Sequence, residues 1–265
     1  LEVNTVSATG FTGIVVIVLF LGLMIFFSII NKEPEQKNIR PISAYDKINQ
    51  EINVAVEDGT QLHISLGRGG ITGPESASAL AGLSILKQVI EKSSVCDYPP
   101  VASTGNAVIS ILAQDTIQGT SKAISVADKG RNPSGELVGV TPFSYATGTL
   151  TTIRDNNVSA NIYTGWFGSE ITWLTTAGER QSSPTIAGTA QLPAQAVIYA
   201  SASDPLIGEE LYAGGAYLDA GKIHLASISA QDVFRWIIIF IILGSILLKI
   251  LGIDTFFENI QTGSM

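Results

Sequence analysis

The chain has 265 residues, with 15 Lys and Arg against 23 Asp and Glu, a formal net charge of −8, two His and one Cys. This acidity, with no cluster of Lys and Arg, excludes a nucleic-acid groove, which needs cations in place of phosphate counterions. The lone thiol, Cys96, excludes an intrachain disulfide and a Cys-based metal site, and it fits a reducing compartment.

Residues 1–9 contain no Lys or Arg and are expected to form a short tail outside the membrane. Residues 10–30, GFTGIVVIVLFLGLMIFFSII, are uncharged and apolar. A run of about 20 such residues, rising about 1.5 Å each, crosses about 30 Å of hydrocarbon. They predict a first membrane helix. It is expected to be retained, because the tail lacks the basic n-region of a secretory signal. Residues 31–42 read as a polar linker in which Pro34 and Pro41 oppose continued helix.

Residues 43–230 carry the pattern of one α/β domain. Tyr45, Ile48, Ile52 and Val56 recur at helical spacing, with Ser43 placed as an N-cap and Gly59 as the stop. Residues 61–66 alternate as a strand, GRGGITG turns, and 74–92 form a helix. Pro74 suits its first position, with Leu80, Leu83, Leu86, Val89 and Ile90 inward. A strand over 101–104 leads to a helix ending near 118. Residues 119–136 read as the longest surface excursion.

Four more strand-and-helix pairs follow: 137–141 with 142–155, 158–164 with 167–177, 185–189 with 192–200, and 205–208 with 209–218. Short strands alternating with helices imply parallel pairing, because parallel neighbours need a crossover. The expected architecture is an α/β, Rossmann-like three-layer sandwich with a mostly parallel sheet, bracketed by two transmembrane helices. Only about 17% of the roughly 205 residues between the spans are charged, against about 25% in an average soluble protein, so part of the surface is expected to meet protein.

The second membrane helix is predicted over 231–253, around FRWIIIFIILGSILLKILGI. Asp232 and Arg235 stand at its entry; Lys249, the one charge beyond that entry, lies near the other helix end and can snorkel to the interface. Gly22 and Gly244 fall mid-span, where small residues let helices touch within one chain or between chains. Residues 254–265 again lack Lys and Arg, whereas Lys32, Lys37, Arg40, Lys222 and Arg235 flank the inner ends. Basic flanks resist translocation, so both tails are expected outside and the domain in the cytoplasm.

The segments LAGLSILKQV (80–89), IAGTAQLP (186–193) and LIGEELYAGGAYL (206–218) resemble an uncharacterised bacterial membrane family, a domain of unknown function termed DUF6754. The resemblance covers the domain and the second span, with GEELYA its most specific part. It implies a membrane-tethered α/β domain and brings no activity.

The glycine-rich loop 67–73 follows a strand and opens a helix, as a phosphate cradle does. Its spacing is not GxGxxG, however, and no acidic residue follows the next strand. Glu209 and Glu210 open a helix at the sheet's carboxyl edge, where they either satisfy the helix dipole or serve as a general base. Thr104, Asn106 and Thr189 also fall at strand ends. Gly69, Gly70, Thr104, Asn106, Thr189 and Glu209 are the expected lining of a crevice for a nucleotide or small anionic metabolite. His63 and His224 suggest no metal set, and the chain has no GxSxG elbow. No cofactor is implied. The leading expectation is a non-enzymatic membrane scaffold that forms a homo-oligomer or docks to a membrane complex; the alternatives are the ligand-binding sensor and, more weakly, a tethered enzyme.

Overall fold

The computed structural model describes residues 8–30, 39–94, 96, 98–123, 134–155 and 157–250. Most of the expected linker, both terminal tails beyond Ala8 and Ile250, and the core of the excursion at 119–136 therefore lie outside the described residues. The chain divides into two compact units, Lys37–Ala220 and the paired segments Leu1–Gln36 and Gly221–Met265.

The larger unit is built on a six-stranded parallel sheet. Its strands are β1 (Gln61–Gly67), β2 (Val101–Thr104), β3 (Gly135–Leu137), β4 (Val158–Trp166), β5 (Thr185–Thr189) and β6 (Asp204–Ile207), in the order β3-β2-β1-β4-β5-β6. The connections leave β1 in one direction and restart at β4 in the other, so the switch point of the topology, where α/β folds commonly bind ligands, lies between the carboxyl ends of these two central strands.

Two cores flank the sheet. On one face, α2 (Ser43–Asp58), α3 (Ser76–Lys92) and α4 (Ala107–Ala123) bury Tyr45, Ile48, Ile85, Leu86 and Ile109 against Ile64, Leu66 and Ile162. On the other, α5 (Pro142–Ile153), α6 (Ile171–Arg180) and α7 (Leu192–Ser201) bury Tyr145, Leu174 and Ile198 against Tyr163, Phe167 and Ala187. The α5 turn starts where the sequence dictates it: Thr141 accepts from the Ser144 N–H, Ser144 Oγ accepts from the Thr141 N–H, and Pro142 takes the first turn.

Several expectations need correction. Ser43 is the first helical residue, not the cap; Ile42 occupies that place, while Gly59 ends the helix at φ 64° as expected. The third helix begins at Ser76, which leaves Pro74 in the turn before it, and Leu80 is 53% exposed. Residues 209–218 are not one α-helix: a 3-10 helix spans Gly208–Ala213, followed by α8 (Gly214–Tyr217). The carboxyl groups of Glu209 and Glu210 thus sit in a tight turn rather than a long dipole.

The smaller unit contains α1 (Ala8–Ile30) and α9 (Lys222–Ile250). Among the described residues one helix, α9, is long and apolar enough to cross a membrane, and Gly13–Ile29 within α1 is a shorter apolar stretch. The ninth helix begins nine residues before the expected start at 231. The two helices meet at Phe20 and Phe234, whose rings lie 5.7 Å apart. Within the chain an added Cβ at Gly22 or Gly244 would meet nothing within 4 Å.

Candidate functional site

The carboxyl ends of β1, β2 and β4 are held together by backbone. The Arg68 N–H donates to the Trp166 carbonyl (2.8 Å), and the Gly105 N–H donates to the Gly67 carbonyl (2.8 Å). Gly67 adopts φ 71°, and a Cβ there would lie 2.1 Å from the Trp166 oxygen. Only glycine fits both the left-handed backbone and that approach. β1 and β4 thus end in contact.

The loop that leaves β1 is filled by its own neighbours. A Cβ at Gly69 would meet Trp166 Cβ at 2.7 Å, one at Gly70 would meet Asn106 Nδ2 at 3.1 Å, and one at Gly73 would meet Glu75 Oε2 at 2.3 Å. The glycines accommodate protein where a phosphate cradle would leave room. Glu75 stands at the N-cap of α3, placing a carboxylate where a helix N-terminus would attract an anionic ligand.

At the same edge, Arg68 Nε donates to Glu170 Oε1 at 2.8 Å. Burial alone would raise the Glu170 carboxyl, but hydrogen bonds from Arg68 and from the Gly168 N–H hold it below the usual carboxylate range. The guanidinium of the loop that leaves β1 is therefore already neutralised by the protein itself.

The expected lining residues share one edge of the sheet but serve local bonds. Thr104 Oγ1 donates to the Gly67 carbonyl (3.0 Å), and Asn106 Oδ1 accepts from the N–H groups of Val108 and Ile109, which caps α4. Thr189 Oγ1 accepts from the Phe167 and Gln191 N–H groups. Gly69, Gly70, Thr104 and Asn106 come together beside β1. Thr189 stands beyond β4, and exposed Glu209 follows the edge strand β6. The Glu210 carboxylate accepts from the Ile207 N–H (3.0 Å) and so caps its own turn.

GEELYAGGAYL is a structural staple. The Tyr45 hydroxyl donates to the Glu210 carbonyl (2.6 Å), the rings of Tyr45 and Tyr217 stack at 5.1 Å, and Leu211 is buried. At Gly214 a Cβ would strike Ile85 at 2.5 Å.

Sequence reasoning missed a polar chain inside the sheet. His63, Ser65, Ser103, Tyr145 and Asn161 have no exposed surface. His63 Nδ1 lies 2.9 Å from Asn161 Oδ1 and its Nε2 lies 2.8 Å from Ser103 Oγ, which is 2.8 Å from Ser65 Oγ; Ser65 in turn bonds the Tyr145 hydroxyl. Asn161 Nδ2 donates to Ser183 Oγ, which donates to the Ser159 carbonyl. Because the Asn161 amide nitrogen is committed to Ser183, its oxygen must accept from His63, which fixes the proton on Nδ1. Nε2 then accepts from Ser103.

Serine, imidazole and amide thus stand in nucleophile-base-orienter geometry, but with no surface through which a substrate could reach them. Burial holds the imidazole down to about pKa 4, so it is neutral near pH 7. The available signal was three polar residues on three strands, His63, Ser103 and Asn161, but each is separately compatible with a solvent-facing position.

Among the described residues no group of three His, Cys, Asp or Glu side chains could hold a metal ion. The comparisons with curated proteins and with solved structures give no match. The family described as Domain of unknown function (DUF6754) matches residues 2–260, a span that takes in both apolar helices as well as the α/β unit, and the chain belongs to that family.

Proposed function

We propose that the protein is a membrane-anchored scaffold whose α/β domain, residues 43–230, docks to other protein in a membrane complex or homo-oligomer. Two spans, 10–30 and 231–253, hold it in a bacterial cell membrane, with the domain cytoplasmic and the tails 1–9 and 254–265 outside. Gly22 and Gly244 then offer smooth surfaces to neighbouring copies.

The observation that carries this reading is the outer surface of α5, α6 and α7. Phe143 is 73% exposed, Trp173 60%, Leu192 77% and Tyr199 75%. Single exposed apolar residues are ordinary, but four large ones on one helical layer, two of them Trp and Tyr, have the composition of a protein interface. Gentle detergent extraction of the full chain followed by mass measurement is expected to give a particle heavier than one chain with its detergent. A clean monomer with nothing co-purifying would overturn the proposal.

One observation favours a second reading, a small-ligand sensor at the crevice lined by Gly69, Gly70, Thr104, Asn106, Thr189 and Glu209. Gln191 Oε1 is buried without a hydrogen-bond partner among the described residues, close to where a Cβ on Gly168 would lie. A ligand N–H or O–H would complete it.

A further inference from the structure

We infer that the groove between α5 and α6 seats an acidic amphipathic helix of a different protein, an assignment that rests on the docking reading above. The groove measures about 480 Å³ and is lined by Leu150 and Arg154 from one side and Thr172, Trp173, Thr176 and Arg180 from the other. Neither Arg154 nor Arg180 forms an ion pair or side-chain hydrogen bond among the described residues. Their sequence neighbours Asp155 and Glu179 do not line the groove. It therefore presents two uncompensated guanidiniums beside an indole on an otherwise acidic chain. Arg and Trp are the side chains that most often dominate binding energy in protein interfaces.

Cations at helix C-termini also answer the helix dipole. That role requires neither a shared groove nor an indole standing mostly clear of the surface. Both features acquire a use if a helix lies antiparallel to α5 and α6. Its positive end then meets their negative ends, and Asp or Glu in its first turn pairs with Arg154 and Arg180. Apolar residues at i, i+3 or i+4 and i+7 reach Trp173 and Leu150. With 12 residues, α5 offers about 18 Å of groove, or roughly three turns of a partner. This chain does not supply that partner from its described helices. Those with an acidic first turn, α2 and the 3-10 helix, already bury apolar residues in the first core.

The test places the photoreactive residue p-benzoylphenylalanine at Trp173 in the full-length chain, irradiates native membranes, and sequences the adduct peptide. The expected adduct is a segment of another protein with acidic residues immediately before an i, i+3/i+4, i+7 apolar pattern. R154E together with R180E is expected to lower its yield about tenfold, while the lysine pair at the same positions retains most of it. An adduct on a second copy of this chain, on lipid, on a basic or unpatterned segment, or no adduct at all would each overturn the assignment. If the extracted particle is still larger than a monomer, only the groove assignment falls; if it is a monomer, the docking reading falls with it.

Discussion

Each hydroxyl in the buried chain has one proton to give, and the chain of donations from Tyr145 through Ser65 and Ser103 ends on an acceptor, His63 Nε2. A second proton on the imidazole would turn that acceptor into a donor facing a donor, in a site with no solvent. Burial, the larger influence, lowers the His63 pKa to about 4, against the hydrogen bond His63 donates to Asn161, which raises it. An unfolded imidazole binds its proton near pH 6.5, so between about pH 6.5 and 4 the unfolded chain holds more protons than the folded one. Stability is therefore full above about 6.5 and falls as the pH drops toward 4, by roughly 3 kcal/mol in total. In thermal melts of the full chain this corresponds to a loss of about 6–12 °C across that window. His63→Gln, which keeps a donor and an acceptor without a titrating proton, is expected to flatten that part of the profile. An unchanged slope would place the acid sensitivity elsewhere.

Among the elements, the carboxyl edge of the sheet was the most legible in position and the least legible in content. Alternating short strands and helices announced parallel pairing, and the glycines at 67–73 marked a strand-to-helix turn. Strand order was not readable, because nothing in β1 says that its partners are β2 and β4. The buried polar chain stayed hidden for the same reason: His63 meets Ser103 and Asn161 across 40 and 98 residues of sequence, and pairing at that range follows from the completed sheet.

Residues 61–66 alternate polar and apolar, yet both faces of β1 are covered by helices and all of Leu62–Gly67 is buried. The loop looked like an anion cradle until Glu75, Trp166 and the Arg68–Glu170 pair were seen to occupy it. For those elements the expected outcome of thermal-shift measurements with phosphate-bearing nucleotides is no stabilisation. A nucleotide bound at 100 times its dissociation constant would add about 2.7 kcal/mol, and such a shift would restore the sensor reading in place of the scaffold.

For the molecule as a whole the remaining question is sidedness. The α9 helix is long and apolar enough to span a bilayer, and the family match runs through both apolar helices to residue 260. If both cross, the two tails share one side and the domain the other. Arg40, Lys222 and Arg235, with Lys32 and Lys37, lie on the domain's flanks, while residues 1–9 and 254–265 carry no Lys or Arg. Short tails without Lys or Arg translocate readily, whereas basic flanks beside the spans are retained. In intact spheroplasts protease is therefore expected to reach only the terminal tails and leave residues 32–235 whole, with digestion of the domain beginning once the membrane is opened. A single crossing would also keep the domain protected but would expose just one tail, so epitope tags at both ends distinguish one span from two. Cleavage within 32–235 while the membrane is intact would mean the domain faces outward, and the basic flanks would then have failed to set its orientation.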